Sequence, residues 1–124
     1  MVNSVIFENF NTFLQIACGM SFLSEKNIYH GDLATRNILL TETLVAKVSD
    51  FGLSKRLYDE IFSVYTEDEK DIKLPMKWLA FETLQHRKTS VKSDIWSYGV
   101  VIWEMFEFGA EPYGSCNIIF IIVG

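Results

Sequence analysis

The chain has 124 residues, enough for one domain with a hydrophobic core. Hydrophobic residues make up 49% of it and charged residues 22%, which excludes a disordered chain. The formal charge of −5 argues against a nucleic-acid-binding domain, because a phosphate backbone calls for clustered Lys and Arg. Cys18 and Cys116 lie far apart, with no disulfide framework and no metal spacing, so free thiols in a reducing compartment are expected. The N-terminus lacks the basic start and apolar block of a signal peptide. No run of roughly 18 apolar residues occurs, so no membrane span is expected in this chain.

In chain order, residues 4–25 predict an amphipathic helix. Ile6, Phe10, Phe13, Ala17 and Met20 recur at spacings of three and four and make an apolar stripe. Gly19 is a weak point inside it, costing about 1 kcal/mol against Ala. Ile38-Leu39-Leu40 and Val45-Ala46-Lys47-Val48, separated by Thr41-Glu42-Thr43, predict a small hairpin. Residues 53–74 are rich in charge and poor in periodicity, and a loop of that length is usually functional or disordered. Most of its charges are expected to be a solvated face. Ser93-Asp94 can cap a helix running to Phe106. Apolar residues from Ile95 to Phe106 point in every direction, which predicts a buried helix.

The informative stretch lies between the first helix and the hairpin. Tyr29 to Leu40 matches H-x-D-L-x-x-x-N at His30, Asp32, Leu33 and Asn37. Thirteen residues after Asn37 come Asp50-Phe51-Gly52. Leu74-Pro75-Met76-Lys77-Trp78-Leu79-Ala80-Phe81-Glu82 and Asp94-Ile95-Trp96-Ser97-Tyr98-Gly99 follow in order. Each piece alone is weak. Asp-Phe-Gly is often only a turn, a lone His is more often a satisfied core residue, and Trp96 and Trp103 alone are simply core. Their order along one chain is specific.

These motifs resemble the protein kinase family over residues 4–114. The Ala34-Thr35-Arg36 insert and the Leu-Pro-x-Lys-Trp segment resemble its tyrosine kinases. Within these, Leu57-Tyr58 looks like receptor types, and Tyr29 to Leu40 looks like receptors of the PDGF/VEGF receptor class. The resemblance implies an α+β, protein-kinase-like fold: a mainly α-helical C-terminal lobe with a small β-hairpin. Residues 1–124 would form a partial kinase domain, with the catalytic loop at 28–40, the activation segment at 50–82 and the central helix at 93–106. The Gly-rich loop, the Val-Ala-Ile-Lys strand and the partner Glu of a complete domain do not occur. The N-terminal lobe is therefore expected to be missing, and this chain alone to be inactive.

The implied activity is transfer of the ATP γ-phosphoryl group to protein tyrosine, with Mg2+. Asp32 would be the catalytic base and Arg36 a positive charge near the acceptor. Asn37 and Asp50 would bind the metal and, through it, the nucleotide. His30 and Phe51 would pack in the column linking the lobes, and Gly52 would complete the Asp-Phe-Gly turn. Asp94 would hold the catalytic-loop backbone. Trp78 would shape the substrate shelf, and Glu82 would pair with an Arg near the end of a complete domain. Tyr65, followed by Glu67-Asp68-Glu69, is the first candidate phosphorylation site and Tyr58 the second. The implied partners are protein tyrosine substrates. The parent protein would be a membrane receptor that dimerises, with this part on the cytoplasmic side of the plasma membrane, or a cytoplasmic protein if not a receptor.

The sequence departs from the pattern at Phe81, where the family has Pro, and at Gly31, where most members have Arg. The apolar end Ile118–Val123 also departs from it. Competing readings are a non-catalytic pseudokinase or scaffold, and an inactive truncated product. Retention of Asp32, Asn37 and Asp50 together speaks against the first.

Overall fold

The computed structural model describes residues 2–50, 76–86 and 88–114. The charged stretch 53–74 and the apolar end Ile118–Val123 lie outside these residues.

Helix α1 spans Val2–Glu25. Its buried positions are Ile16 and Leu23, with Met20 packed against the same core. The stripe facing the protein thus passes through Phe13, Ile16, Met20 and Leu23. It differs from the predicted one, because Phe10 is 55% exposed. Phe10, Leu14 and Phe22 are apolar yet exposed, so the sequence admits several adjacent stripes, and docking selects one. Just past the helix end Asn27 takes a positive φ of 56°, and Ile28 N–H donates back to the Leu23 carbonyl at 2.9 Å. Asn tolerates that left-handed conformation at a helix end.

Strands β1 (Ile38–Leu40) and β2 (Ala46–Val48) pair antiparallel, with Ile38 opposite Val48 and Leu40 opposite Ala46. Thr41 closes the turn: its Oγ1 accepts from Val45 N–H at 3.0 Å, and its own N–H donates to the Val45 carbonyl. Strand β2 lies along α1, where Gln15 Oε1 accepts from Ala46 N–H at 2.7 Å. Gly19 is the point of closest approach, since a Cβ there would stand 3.2 Å from Val48 Cγ2. The residue that weakens the helix therefore lets the strand in. Gly19→Ala is expected to be near neutral, its helix gain of about 1 kcal/mol offset by that contact. Gly19→Leu is expected to destabilise by about 1–3 kcal/mol through overpacking, read from the urea midpoint. A stabilised Gly19→Leu would contradict this close packing.

Helix α2 spans Phe81–His86 and α3 spans Val91–Phe106. Phe81 opens α2 at the first helical position, where the Pro expected from the resemblance would also fit. The helix forms without it, and Thr83 Oγ1 donates to the Lys88 carbonyl at 2.7 Å beyond its end. The cap of α3 is Ser90, not Ser93-Asp94. Ser90 and Ser93 exchange side-chain-to-backbone bonds as a capping box, which frees Asp94 for another task.

The expectation that α3 is buried on its apolar residues is also corrected. Ile95, Trp96, Trp103 and Phe106 are exposed among the described residues, whereas Ser93, Asp94, Ser97, Val101 and Glu104 are buried. This helix buries a largely polar face because it docks on loop backbone, whose N–H and C=O groups require partners. The core beside it is Ile16, Leu33, Ala46 and Val101, with Met20, Ile38, Val48, Tyr98 and Met105 around them. Tyr98 Oη donates to the Phe13 carbonyl at 2.9 Å, and Phe13 meets the Phe106 ring at 5.5 Å, tying α3 to α1. No helix among the described residues is long and apolar enough to cross a membrane.

Candidate active site

The loop from Ile28 to Asn37 hangs between α1 and β1, and its backbone is fixed from α3. Asp94 receives two backbone donors, His30 N–H at 2.7 Å on Oδ2 and Gly31 N–H at 2.9 Å on Oδ1. Gly31 takes φ +83°, a conformation in which a side chain is strained. Burial raises the Asp94 carboxyl above its ordinary value of 3.8, opposed by the two backbone N–H bonds. Leu33 and Ala34, both fully buried, anchor the next turn into the core.

His30 is fully buried. Its Nδ1 accepts from Asp32 N–H at 3.0 Å, so Nε2 carries the proton and donates to the Ser49 carbonyl at 2.6 Å. One ring thus joins the loop to the end of β2. From the other side, Ser49 N–H and Oγ both donate to the Asn37 carbonyl, at 2.9 and 2.8 Å. Ser49 Oγ also reaches Asp50 Oδ2 at 3.3 Å. Asp50 leaves the strand at φ 58° with its carboxylate exposed.

Asp32, Arg36 and Asn37 converge. Arg36 Nη2 donates to Asp32 Oδ1 at 2.7 Å. Asn37 Nδ2 donates to Asp32 Oδ2 at 3.1 Å and to the Asp32 carbonyl at 2.8 Å. The single 3₁₀ turn Thr35–Asn37 sets the spacing that brings both donors back to Asp32. Arg36 also lies over Trp78, with Cζ 4.4 Å from the ring centroid, a cation–π geometry. Trp78 belongs to the 3₁₀ turn Met76–Trp78, and Ser97 Oγ on α3 holds its carbonyl at 2.6 Å.

A model of the family described as protein tyrosine and serine/threonine kinase matches residues 5–121. The chain belongs to that kinase family. Its structure brings together Asp32, Arg36, Asn37 and His30, with Asp50 linked through Ser49 and Trp78 through Arg36. Asp94 stands behind them on α3. Phe51, Gly52, Tyr58 and Tyr65 lie outside the described residues. Glu82 sits half-buried in the first turn of α2 and makes no hydrogen bond or ion pair among the described residues.

The donor set of this kinase fits a magnesium ion shared with phosphates. Both protons of the Asn37 amide nitrogen are engaged by Asp32, so Oδ1 is the atom that could serve as an oxygen ligand. The Asp50 carboxylate is exposed just past the end of β2, next to Ser49, which bonds the Asn37 carbonyl. Among the described residues no group of three or more His, Cys, Asp or Glu could cage a metal without such help. Magnesium is commonly held by one or two protein oxygens plus substrate phosphates.

Glu104 was not among the residues singled out from the sequence. It is 5% exposed and accepts three hydrogen bonds from the loop and from Trp78. A lone carboxylate within the apolar run Val100 to Phe106 was the available signal, because such a group is buried only with partners.

Proposed function

We propose that the protein is a protein tyrosine kinase that transfers the γ-phosphoryl group of ATP to tyrosine hydroxyls. The observation that carries this reading is Arg36, bonded to Asp32 at 2.7 Å and laid on Trp78 of the Leu-Pro-Met-Lys-Trp segment. A guanidinium beside the base favours an acceptor that reacts with phenolate character, and the tyrosine hydroxyl, with a pKa of about 10, is such an acceptor. The Ala34-Thr35-Arg36 insert supports the same choice.

In this reaction the acceptor hydroxyl gives its proton to the Asp32 carboxylate. The phenol oxygen bonds to the γ-phosphorus while the bond from that phosphorus to the β,γ-bridging oxygen breaks, and ADP leaves. Arg36 and Asn37 keep the carboxylate aimed. Asn37 Oδ1 and Asp50 would hold magnesium, which when bound neutralises phosphate charge. A dimerising membrane receptor of the PDGF/VEGF receptor class, with this domain on the cytoplasmic side of the plasma membrane, is the proposed setting. Leu57-Tyr58 and Tyr29 to Leu40 support it.

The test is acceptor choice by the full-length protein. Its kcat/KM on a poly-Glu-Tyr polymer is expected to exceed that on Ser/Thr peptides by at least about tenfold. Phosphoserine or phosphothreonine as the only product would overturn the tyrosine assignment. Nucleotide binding with no transfer to any acceptor would leave a scaffold.

A further inference from the structure

We infer that Glu104 is a positioning residue for the catalytic pair Asp32–Arg36, acting through Thr35 and Trp78; the inference rests on the kinase reading of this site. Glu104 Oε2 accepts from Trp78 Nε1 at 2.8 Å and from Thr35 N–H at 3.0 Å, while Oε1 accepts from Thr35 Oγ1 at 2.8 Å. Thr35 opens the turn from which Arg36 departs. Trp78 is the surface on which the Arg36 guanidinium rests. One buried carboxylate therefore fixes both the base of the Arg36 side chain and the ring against which its far end lies.

Arg36 requires that support. Its side chain is 34% exposed, and an exposed ion pair gains little from charge alone while losing side-chain freedom. With its root and its stacking surface both tied to α3, fewer conformers compete with the one that meets Asp32. Simple packing of α3 does not account for a carboxylate here. An apolar side chain of the same volume would fill the space without the cost of desolvating a charge. The carboxylate is matched to two backbone and side-chain donors of Thr35 and to one indole. Its two oxygens join segments that are far apart in the chain.

The test uses Glu104→Gln and Trp78→Phe in the full-length protein. Gln keeps the volume and one acceptor but turns an N–H₂ toward the remaining donors. Phe keeps the ring and deletes the indole donor. Glu104→Gln is expected to lower kcat about tenfold to a hundredfold with KM for ATP changed less than about twofold, the pattern of lost alignment. Trp78→Phe is expected to lower kcat in the same way, and the double variant to lose no more than the worse single one. Unchanged kcat in Glu104→Gln, or losses that simply multiply, would overturn the proposal.

A second readout is independent of activity. Exchange of the Arg36 Nη protons, which include the donor to Asp32, followed by NMR, is expected to speed up about tenfold or more in Glu104→Gln as the side chain is released. An unchanged rate overturns the positioning role even in a protein with normal turnover. If the wild type transfers no phosphate but the Arg36 protons are released in the variant, the coupling stands and the kinase reading fails.

Discussion

Asp32→Asn is expected to lower phosphoryl transfer by about 10²- to 10⁴-fold, the range supplied by a positioned general base. The substitution changes little else. The Asp32 N–H still donates to His30 Nδ1 and its carbonyl still accepts from Asn37, because both are backbone groups. The side chain keeps its volume. The carboxamide oxygen can still accept from one of the two donors, Arg36 or Asn37, but its N–H₂ then faces the other. A carboxamide cannot take a proton from the acceptor hydroxyl. The measurement is transfer to poly-Glu-Tyr by the full-length protein, with thermal unfolding on the same preparation. A midpoint within a few degrees of wild type would show an intact fold, since about 1 kcal/mol moves the midpoint of such a domain by several degrees. Turnover near the wild-type rate would remove the base assignment and most of the functional reading. Should Asp32→Asn unfold, Asp32→Glu is the second variant. It keeps the charge and displaces it by one methylene, and is expected to retain the fold with a smaller loss.

The loop and the hairpin were legible in the sequence because their information is local. His30, Asp32, Leu33 and Asn37 are spaced by the turn they form, and Thr41 to Val45 carry their own closing bonds. The faces of the helices were less legible, for different reasons. Helix α1 has more apolar residues than its buried stripe uses, so Ile16 and Leu23 are indistinguishable from Phe10 and Leu14 until a partner is present. In α3 the usual rule inverts. Its buried face carries Ser93, Asp94, Ser97 and Glu104, because what lies against it is backbone rather than side chains. Those partners are distant in sequence: Asp94 meets His30 and Glu104 meets Thr35. Periodicity within the helix contains no trace of them. Ser90 was missed as the cap because the box closes on Ser93, not on the more familiar Glu or Gln.

Asp94→Asn is expected to destabilise the protein by about 2–3 kcal/mol at neutral pH, since one buried backbone donor loses its acceptor and faces another donor. The two donors at stake are His30 N–H and Gly31 N–H. They hold the left-handed turn at Gly31 that aims the following residue, Asp32. The size of the loss should depend on pH, with a sign set by the pKa shift. Desolvation by burial, the largest cause, raises the Asp94 carboxyl above 3.8 in the fold. A group whose pKa is raised binds its proton more tightly when folded than when unfolded. Its contribution to stability is then fully present below the unfolded value and declines as pH rises through the folded one. Asn has no such titration. The gap between wild type and Asp94→Asn should therefore be widest near pH 4 and narrow as pH rises toward 7. Urea unfolding of both proteins at several pH values between these limits measures it, because titrations common to both cancel in the difference. A gap that instead widens with pH would mean that the two N–H bonds outweigh burial. Asp94 would then stabilise the loop through its charge rather than in spite of it.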